Sequence, residues 1–309
     1  MNKIISIAQL IVPIFSTIFL GVFARKKSLL TPEGIRGLQQ LVMNFCLPCV
    51  LFNSCYTAEV GRDSVSTMLL LMPFMIGTTL WAFRARKGPF PYHNFPQLFA
   101  AQETGMLGIP LFIILFGSAQ AYRMGILDLT QAVCAFPTIA ILSANAGENL
   151  PPREIVKKVM ASPLVIMSLL GLALNLSGIG TYMNRTGIGG IITETTGFLA
   201  QPVSALMIFC VGYNFSLSSG NRREIFKISL IHFVTFAVIG LIVQLGLMLI
   251  PNVAPETRWS IFLFSMLPAS YLAPNLGRTE EDLTVASGVC SVLTLITLVI
   301  FCIMATFLV

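Results

Sequence analysis

Long apolar runs separated by short polar connections make up most of the sequence. A helix needs roughly 20 apolar residues to cross the hydrocarbon core of a bilayer. Ten runs have this length: 4–24, 31–56, 65–85, 96–117, 121–146, 163–183, 187–217, 222–250, 257–276 and 280–308. The second begins at Thr31 and Pro32, which suit an N-cap and a first helical position. The pattern therefore predicts an all-α polytopic membrane protein with ten transmembrane helices.

The composition points to the same class of protein. Of 309 residues, 55% are hydrophobic and 10% are charged, and the mean hydropathy is +0.84. A soluble protein carries about 25% charged residues, so this surface must largely face a lipid bilayer. The net charge of +6 comes from short basic clusters between apolar runs. Such clusters are typical of loops at an anionic membrane surface, and we expect no nucleic-acid partner.

The basic residues predict an orientation for the bundle. Most of them lie in the connections between spans 1 and 2, 3 and 4, 5 and 6, 7 and 8, and 9 and 10, which share one side. These 14 of the 19 basic residues are Arg25, Lys26, Lys27, Arg36, Arg84, Arg86, Lys87, Arg153, Lys157, Lys158, Arg222, Arg223, Lys227 and Arg278. Cytoplasmic loops carry the excess of Lys and Arg, so both termini are predicted to lie outside.

The longest polar connection divides the ten spans into five plus five. An odd number of spans per half makes the second half enter from the opposite side, as in inverted-repeat transporters. Leu47-Pro48 in the second span is matched by Gln201-Pro202 in the seventh. The sequence therefore predicts one transporter unit over 1–309, with repeat 1 at about 1–146, a cytoplasmic linker at 147–162 and repeat 2 at about 163–309.

The fourth span is interrupted. Gly105, Gly108 and Pro110 break its helical pattern, and Glu103 puts a carboxylate inside it. Freed backbone groups in the bilayer must be satisfied by protein or trapped water, and an ionisable residue at that depth marks a site. The ninth span carries Pro268 at the matching place in the second half. Interrupted segments at matching positions point to a transport site.

Short motifs accompany these breaks along the whole chain. They are Leu20-Gly21 followed by Arg25-Lys26-Lys27, Leu47-Pro48 with Leu51-Phe52, ETGMLGIPLFIILFG at 103–117, Ser162-Pro163 with Gly171, Gln201-Pro202 with Gly212, Leu267-Pro268-Ala269, and the run at 282–291. As a set they resemble the auxin efflux carrier family, in its bacterial form.

This resemblance implies a fold similar to that of bile-acid symporters and sodium/proton antiporters. Two broken helices, the fourth and ninth, would cross near the midplane at Pro110 and Pro268. Spans 1, 2, 6 and 7 would form a scaffold that mediates a homodimer, while the other spans move against it in an elevator-type motion. Family substrates are small organic anions, indole-acetate-like acids in plants and malate or malonate in bacteria. The resemblance places the protein in the plasma (inner) membrane.

One position departs from the family pattern. Where the family usually has an asparagine, this chain has Glu103, and an ionised glutamate would repel a substrate carboxylate. Either Glu103 is protonated in some states, because burial disfavours the charged form, or it binds the coupling cation. We place it in the last turn of the first half-helix, where the helix dipole favours a cation or a neutral acid. A purely structural hydrogen-bond role is the alternative.

The other candidate site residues surround the same break. Thr104 adds a hydroxyl to the predicted cavity, while Gly105 and Gly108 are equally explained by close helix crossing. The backbone amides after Pro110 and after Pro268 begin second half-helices, whose positive ends suit a carboxylate.

Polar residues in other spans have competing interpretations. Asn44 faces the cavity or holds two helices together, and Asn275 faces the cavity or caps a helix. Asp128 and Glu194 lie about a third of the way into their spans, where they couple ions or are simply solvated. His232 relays protons or packs in the core. It has no second ligand at metal spacing, so no metal is expected.

Secondary active transport of a small organic anion is the main functional prediction. The alternatives are a sodium- or proton-coupled transporter of another small solute and a non-transporting receptor on the same fold. An enzyme is not expected, because no GxSxG, HExxH or GxGD sequence is present, and a Walker loop for ATP-driven pumping is also missing. We expect no cofactor, with H⁺ or Na⁺ left open as the coupling ion.

Overall fold

The computed structural model describes residues 2–58, 62–144, 157, 160–215 and 221–308, and their regular structure is helical apart from one isolated β-bridge. The α-helices are α1 (Asn2–Lys26), α2 (Pro32–Leu41), α3 (Leu47–Tyr56), α4 (Arg62–Ala85), α5 (Phe95–Ala100), α6 (Ile109–Phe116), α7 (Ala121–Ala144), α8 (Pro163–Leu176), α9 (Ile179–Arg185), α10 (Ile188–Ala200), α11 (Val203–Asn214), α12 (Arg222–Met248), α13 (Pro255–Ser265) and α14 (Glu280–Leu308). Wider π-helical turns at Val42–Cys46 and Thr104–Gly108 lead into α3 and α6.

The helical stretches long and apolar enough to cross a membrane are fewer than ten. Within the described residues they are Pro32–Tyr56, Arg62–Ala85, Ile188–Asn214, Arg222–Met248 and Glu280–Leu308, with α8 and α9 as a sixth if the bent pair is one span. The protein is therefore an all-helical multi-pass membrane protein. The ten-helix inverted repeat stays a prediction, and the linker at 147–162 lies mostly outside the described residues.

The predicted start of the second span is confirmed. Thr31 is the N-cap of α2, its Oγ1 accepts a hydrogen bond from Gly34 N at 3.1 Å, and Pro32 occupies the first turn. The sixth predicted span, in contrast, does not run straight through 163–183. Gly178 takes a φ of +75°, which glycine adopts without steric cost, and α9 leaves α8 at an angle of 79°.

Two helix pairs pack closely through glycine. On the α1–α11 pair, a Cβ at Gly212 would lie 2.8 Å from Ile18 Cα, and one at Gly21 would lie 2.7 Å from Tyr213 N. On the α3–α8 pair, a Cβ at Gly171 would lie 3.2 Å from Tyr56 N. Small residues let helix backbones approach in membranes, where packing rather than hydrophobicity drives association. The two pairs are thus held by backbone-to-backbone contact.

Replacing Gly212 by Ala is expected to destabilise the protein by about 1–3 kcal/mol, the usual cost of overpacking. The added methyl group meets backbone atoms of α1, which cannot move aside without separating the helices. Gly77→Ala is the matched control, since Gly77 lies inside α4 with open space around its Cβ position. Thermal unfolding in detergent should separate the two variants. Equal melting temperatures would show that the α1–α11 contact is not tight.

A buried ion pair joins the first turns of three helices. Arg123 of α7 contacts Asp63 of α4, with 3.1 Å between Nη1 and Oδ2. Thr257 of α13 hydrogen bonds to both side chains, donating to Asp63 Oδ2 at 2.6 Å. Asp63 and Arg123 are 8% and 9% exposed. Since α4 runs from Asp63 towards Arg86, this ion pair lies at the end of the bundle opposite Arg86.

A second group of polar contacts between helices lies at the other end of α4. The side chain of Asp282 in α14 accepts hydrogen bonds from the backbone of His93 at 2.8 Å and of Thr279 at 3.0 Å. Arg86 lies 2.7 Å from the Nδ1 of His93. Burial lowers the pKa of His93, and the neighbouring charge of Arg86 adds to this effect. The lowered pKa favours the neutral imidazole, and these hydrogen bonds connect the loop before α5 with the start of α14.

Candidate functional site

Two breaks in helical structure meet side by side inside the bundle. The first follows α5 at Ala101, whose backbone is extended, and the second follows α13. Gln102 and Ala269 form an antiparallel bridge. Glu103 N donates to Pro268 O at 2.8 Å, and Ser270 N donates to Ala101 O at 3.0 Å. Each break thus supplies hydrogen-bond partners for the other, which is what non-helical backbone at membrane depth requires.

The Glu103 side chain links the same two breaks. Its Oε1 accepts from Met106 N at 3.3 Å, and its Oε2 accepts from Tyr271 N at 2.6 Å. Glu103 is 8% exposed. The carboxylate therefore caps the helical run Thr104–Phe116 and also binds a backbone amide of the second break.

The expected position of Glu103 in the last turn of the first half-helix is wrong. The helix α5 ends at Ala100, and Glu103 lies at the start of the following helical run. The cause is Gln131 of α7, whose Oε1 accepts from Gln102 N at 2.7 Å and whose Nε2 donates to Gln102 O at 3.0 Å. Because these side-chain bonds replace helical ones, the helix cannot continue through Gln102.

Gln131 also joins Asp128 to the first break. Its Nε2 lies 2.9 Å from Thr104 Oγ1 and 2.9 Å from Asp128 Oδ1. Asp128 and Gln131 are three residues apart on α7, so they share one helix face. A second acid is thereby held beside the one that caps the next helical run.

The second break is held from α14. Tyr271 Oη lies 2.7 Å from Thr294 Oγ1, and Thr297 Oγ1 donates to Met266 O at 2.5 Å. The Gln102 side chain extends from the first break to the second. In the amide orientation that satisfies its neighbours, its Nε2 donates to Pro268 O at 3.0 Å. The two breaks are thus fixed by α7 on one side and by α14 on the other.

A cavity of about 840 Å³ lies against the paired breaks. Its inner wall includes Glu103, Asp128, Gln131 and Gln97. Its further lining residues include Arg36, Asn44, Asn214, Asn275 and Ser287. Arg36 belongs to the first turns of α2 and Asn214 ends α11, and the Arg25 guanidinium donates to Phe215 O at 2.9 Å beside them. The cavity therefore opens at the end of the bundle that carries the basic loops.

Among the described residues, the carboxylates of the inner wall have no salt bridge to a cationic side chain. Among the described lining residues, Arg36 is the only lysine or arginine. Its side chain is 69% exposed and forms a salt bridge with Glu33 at 3.3 Å. Gln97 is 0% exposed. Neither its Oε1 nor its Nε2 has a hydrogen-bond partner among the described residues. The wall thus combines two acids with an amide that has unused hydrogen-bonding capacity.

Comparison with known proteins gives one match that bears on function. An uncharacterized transporter from Methanothermobacter thermautotrophicus is 24% identical over 210 residues. The match spans 66% of this chain and 66% of that protein, just under two thirds of its length. No family model matches the chain. Membership of the auxin efflux carrier family therefore stays a prediction.

The structure brings several predicted site residues together. Glu103, Gly105, Asp128, Asn44 and Asn275 all line the cavity. Asn44 lies in the π-helical turn before α3, and Asn275 lies in a short 3₁₀ turn after the second break. Whether any of them binds a substrate or an ion stays a prediction.

Other predicted residues lie beside the cavity rather than on its lining. Thr104 is buried behind Gln131, and a Cβ at Gly108 would lie 2.7 Å from a methyl group of Leu267. Pro268 belongs to the paired breaks, while Pro110 lies in the first turn of α6. The backbone hydrogen bonds between the two breaks lie at 101–103 and 268–270 rather than at Pro110, and a crossing at the bilayer midplane stays a prediction.

Two predicted coupling residues lie apart from the cavity. Glu194 is an exposed residue of α10. His232 is 1% exposed in α12 and packs 4.7 Å from the Phe236 ring and 5.4 Å from the Phe99 ring. His232 Nε2 lies 3.3 Å from the Gln102 amide nitrogen, which connects it to the back of the first break.

Sequence reasoning missed three side chains that shape the site. Gln97, Gln102 and Gln131 are uncharged, and glutamines in apolar spans are easily attributed to helix packing. The spacing of Gln131 three residues after Asp128 was the available signal, because it places both on one face of α7. Nothing in the sequence indicates that Gln131 reaches the backbone of Gln102.

Proposed function

We propose that this protein is a secondary active transporter that moves a small solute by alternating access, with its site at the paired breaks. The observation that carries the proposal is the meeting of two non-helical segments at a polar cavity inside a helical membrane bundle. Discontinuous helices of this kind hold the substrate or ion in many transporters. The likeness to an uncharacterized transporter and the apolar helices support a membrane transporter.

The packing of the helices supports two inverted repeats. The α1–α11 pair joins predicted spans 1 and 7, and the α3–α8 pair joins spans 2 and 6, which are equivalent pairs if spans 6–10 repeat spans 1–5. Likewise α7 holds the first break and α14 holds the second. In this proposal the two glycine-packed pairs form the scaffold of an elevator-type carrier, and the homodimer forms through them.

The position of the cavity mouth supports an inward-facing state. The cavity opens beside Arg36 and near Arg25, and basic loops face the cytoplasm. The opposite end is closed at the three first turns joined by Asp63, Arg123 and Thr257. We propose a plasma-membrane location with both termini outside, in which the solute reaches the site from the cytoplasm in this state.

Small mono- and dicarboxylates, including malate- and malonate-like acids, are the first substrates to test, because the family resemblance implies them. A different solute is favoured by one observation. The backbone amides of Met106 and Tyr271 already bind the Glu103 carboxylate, so they are not free for a substrate carboxylate in this state.

The test is counterflow in liposomes that contain the purified full-length protein. Liposomes loaded with one unlabelled acid or amine should accumulate the same labelled compound transiently, and an imposed H⁺ or Na⁺ gradient should change its level. Ser287→Phe, which puts a large ring into the cavity from α14, is expected to abolish counterflow. Ser287→Ala is the matched control and should retain it, since no described hydrogen bond depends on the Ser287 hydroxyl.

Other results would contradict the transporter proposal. A solute that stabilises the protein against heat without counterflow would favour a ligand receptor on this fold. Equal counterflow by wild type, Ser287→Phe and empty liposomes would show that the cavity is not a transport route.

A further inference from the structure

We propose that the cavity wall formed by Glu103, Asp128 and Gln97 binds a monovalent cation. The cation is either a dissolved alkali ion or the ammonium group of the transported solute. This inference deepens the proposed function and rests on it only for the second of these sources.

The site contains its own anion. The Glu103 carboxylate occupies both the amide at the start of the Thr104–Phe116 run and the amide of Tyr271. Ser270 N is likewise taken, by Ala101 O. A helix N-terminus with free amides would attract an anion, but here a side chain of the protein fills that place. A second anion arriving from solution would meet a carboxylate instead of open N–H groups.

Among the described residues of the lining, the two acids of this wall are not paired with a cationic side chain. Asp128 lines the same cavity and accepts a hydrogen bond from Gln131, so each of the two acids accepts at least one hydrogen bond. Arg36 is the only lysine or arginine among the described lining residues, and its exposed side chain is already paired with Glu33. Glu103 is 8% exposed, and ionising a largely buried carboxylate is costly unless a positive charge lies close to it. A bound cation would remove this cost.

Gln97 is the independent observation that points to a ligand. Its side chain is fully buried in α5, lines the cavity and has both polar atoms without a partner among the described residues. Buried amide groups are nearly always hydrogen bonded. The amide oxygen of Gln97 and the two carboxylates line one cavity, and oxygen atoms are the ligands that hard cations prefer. It also suits an ammonium group, which has three donors and no acceptor.

The experiment measures thermal unfolding of the full-length protein in detergent at constant ionic strength. Sodium, lithium and potassium chloride are compared with N-methylglucamine chloride, and methylammonium chloride is the probe for an organic ammonium group. We expect a saturable rise in melting temperature of wild type with one of these cations. Asp128→Asn and Gln97→Leu should weaken its apparent affinity by about tenfold or more. Glu256→Gln, an acid of α13 remote from the cavity lining, should leave it unchanged.

Two variants guard against a folding defect. Glu103→Gln removes the main charge but disturbs the paired breaks, so the affinity comparison relies on Asp128→Asn and Gln97→Leu, which leave the Glu103 contacts in place. A saturable rise in melting temperature with an alkali ion would mean that the site binds a dissolved ion. A saturable rise with methylammonium alone would mean that the cation is the ammonium group of the solute.

Three outcomes would overturn the inference. The first is a melting temperature that no cation changes. The second is a cation-dependent rise that is equal in wild type, Asp128→Asn and Gln97→Leu. The third is a melting temperature that depends on acidification and not on any cation. Cation binding without counterflow of any solute would contradict the transporter proposal and leave this site intact.

Discussion

Replacement of Asp63 by Ala should lower the free energy of unfolding by about 3–5 kcal/mol, the cost of removing one partner from a buried ion pair. The substitution leaves the Arg123 guanidinium buried at 9% exposure without its carboxylate. It also removes the acceptor of the Thr257 hydroxyl, so the first turns of α4, α7 and α13 lose their common contact. Denaturant titration in mixed micelles, followed by tryptophan fluorescence, measures the change.

The matched control for Asp63→Ala is Glu33→Ala. The Glu33–Arg36 pair has a similar N···O distance of 3.3 Å, but its side chains are 76% and 69% exposed. Exposed pairs contribute about 0–1 kcal/mol, so this control should stay close to wild type. The double variant Asp63→Leu with Arg123→Met should be more stable than Asp63→Ala, since it leaves no buried charge. A double variant less stable than the single one would refute this account of the ion pair.

Replacement of Glu103 by Gln is expected to eliminate counterflow and to destabilise the protein by about 1–3 kcal/mol, the cost of an unsatisfied buried donor. The carboxylate accepts from two amides, one in each break. A glutamine side chain has one oxygen, so its NH₂ group must face either Met106 N or Tyr271 N. The contact between the breaks is then weakened at the place where the solute is proposed to bind. Counterflow rate and unfolding midpoint are the two measurements.

The control for this change is Glu33→Gln, the same substitution at an exposed position, which should preserve both quantities. Glu103→Asp adds a second test, because a shorter carboxylate cannot reach both amides and should also impair counterflow. Wild-type counterflow in both Glu103 variants would assign Glu103 a dispensable hydrogen bond.

Much of the helical structure follows from the length and spacing of apolar runs. The start of α2 at Pro32, with its Thr31 cap, could be predicted because a cap depends on neighbouring residues alone. The position of the first break could not. The glycine and proline residues predict a break at 105–110, whereas the helix ends at Ala100. It ends there because Gln131, 29 residues after Gln102 in the sequence, hydrogen bonds to the Gln102 backbone. A contact between distant residues leaves no periodic signal.

The site shows the same limit. Glu103 and Asp128 could be predicted because a charge in an apolar span is conspicuous, and both line the cavity. Glu194 is equally conspicuous, yet it lies on the exposed side of α10, since the sequence alone does not say which face of a helix meets a cavity. Gln97 was missed because an unpaired amide is recognisable only when its surroundings are known.

The pairing of the two breaks also has a consequence for biosynthesis. Gln102 finds its backbone partners in Gln131, which leaves the ribosome shortly afterwards. Glu103 must wait for Tyr271, 168 residues later. Until then the nascent first half carries an unclosed polar segment that cannot be left in lipid. The helices up to α7 must therefore remain sheltered, by the insertion machinery or by trapped water, until the second break has been translated.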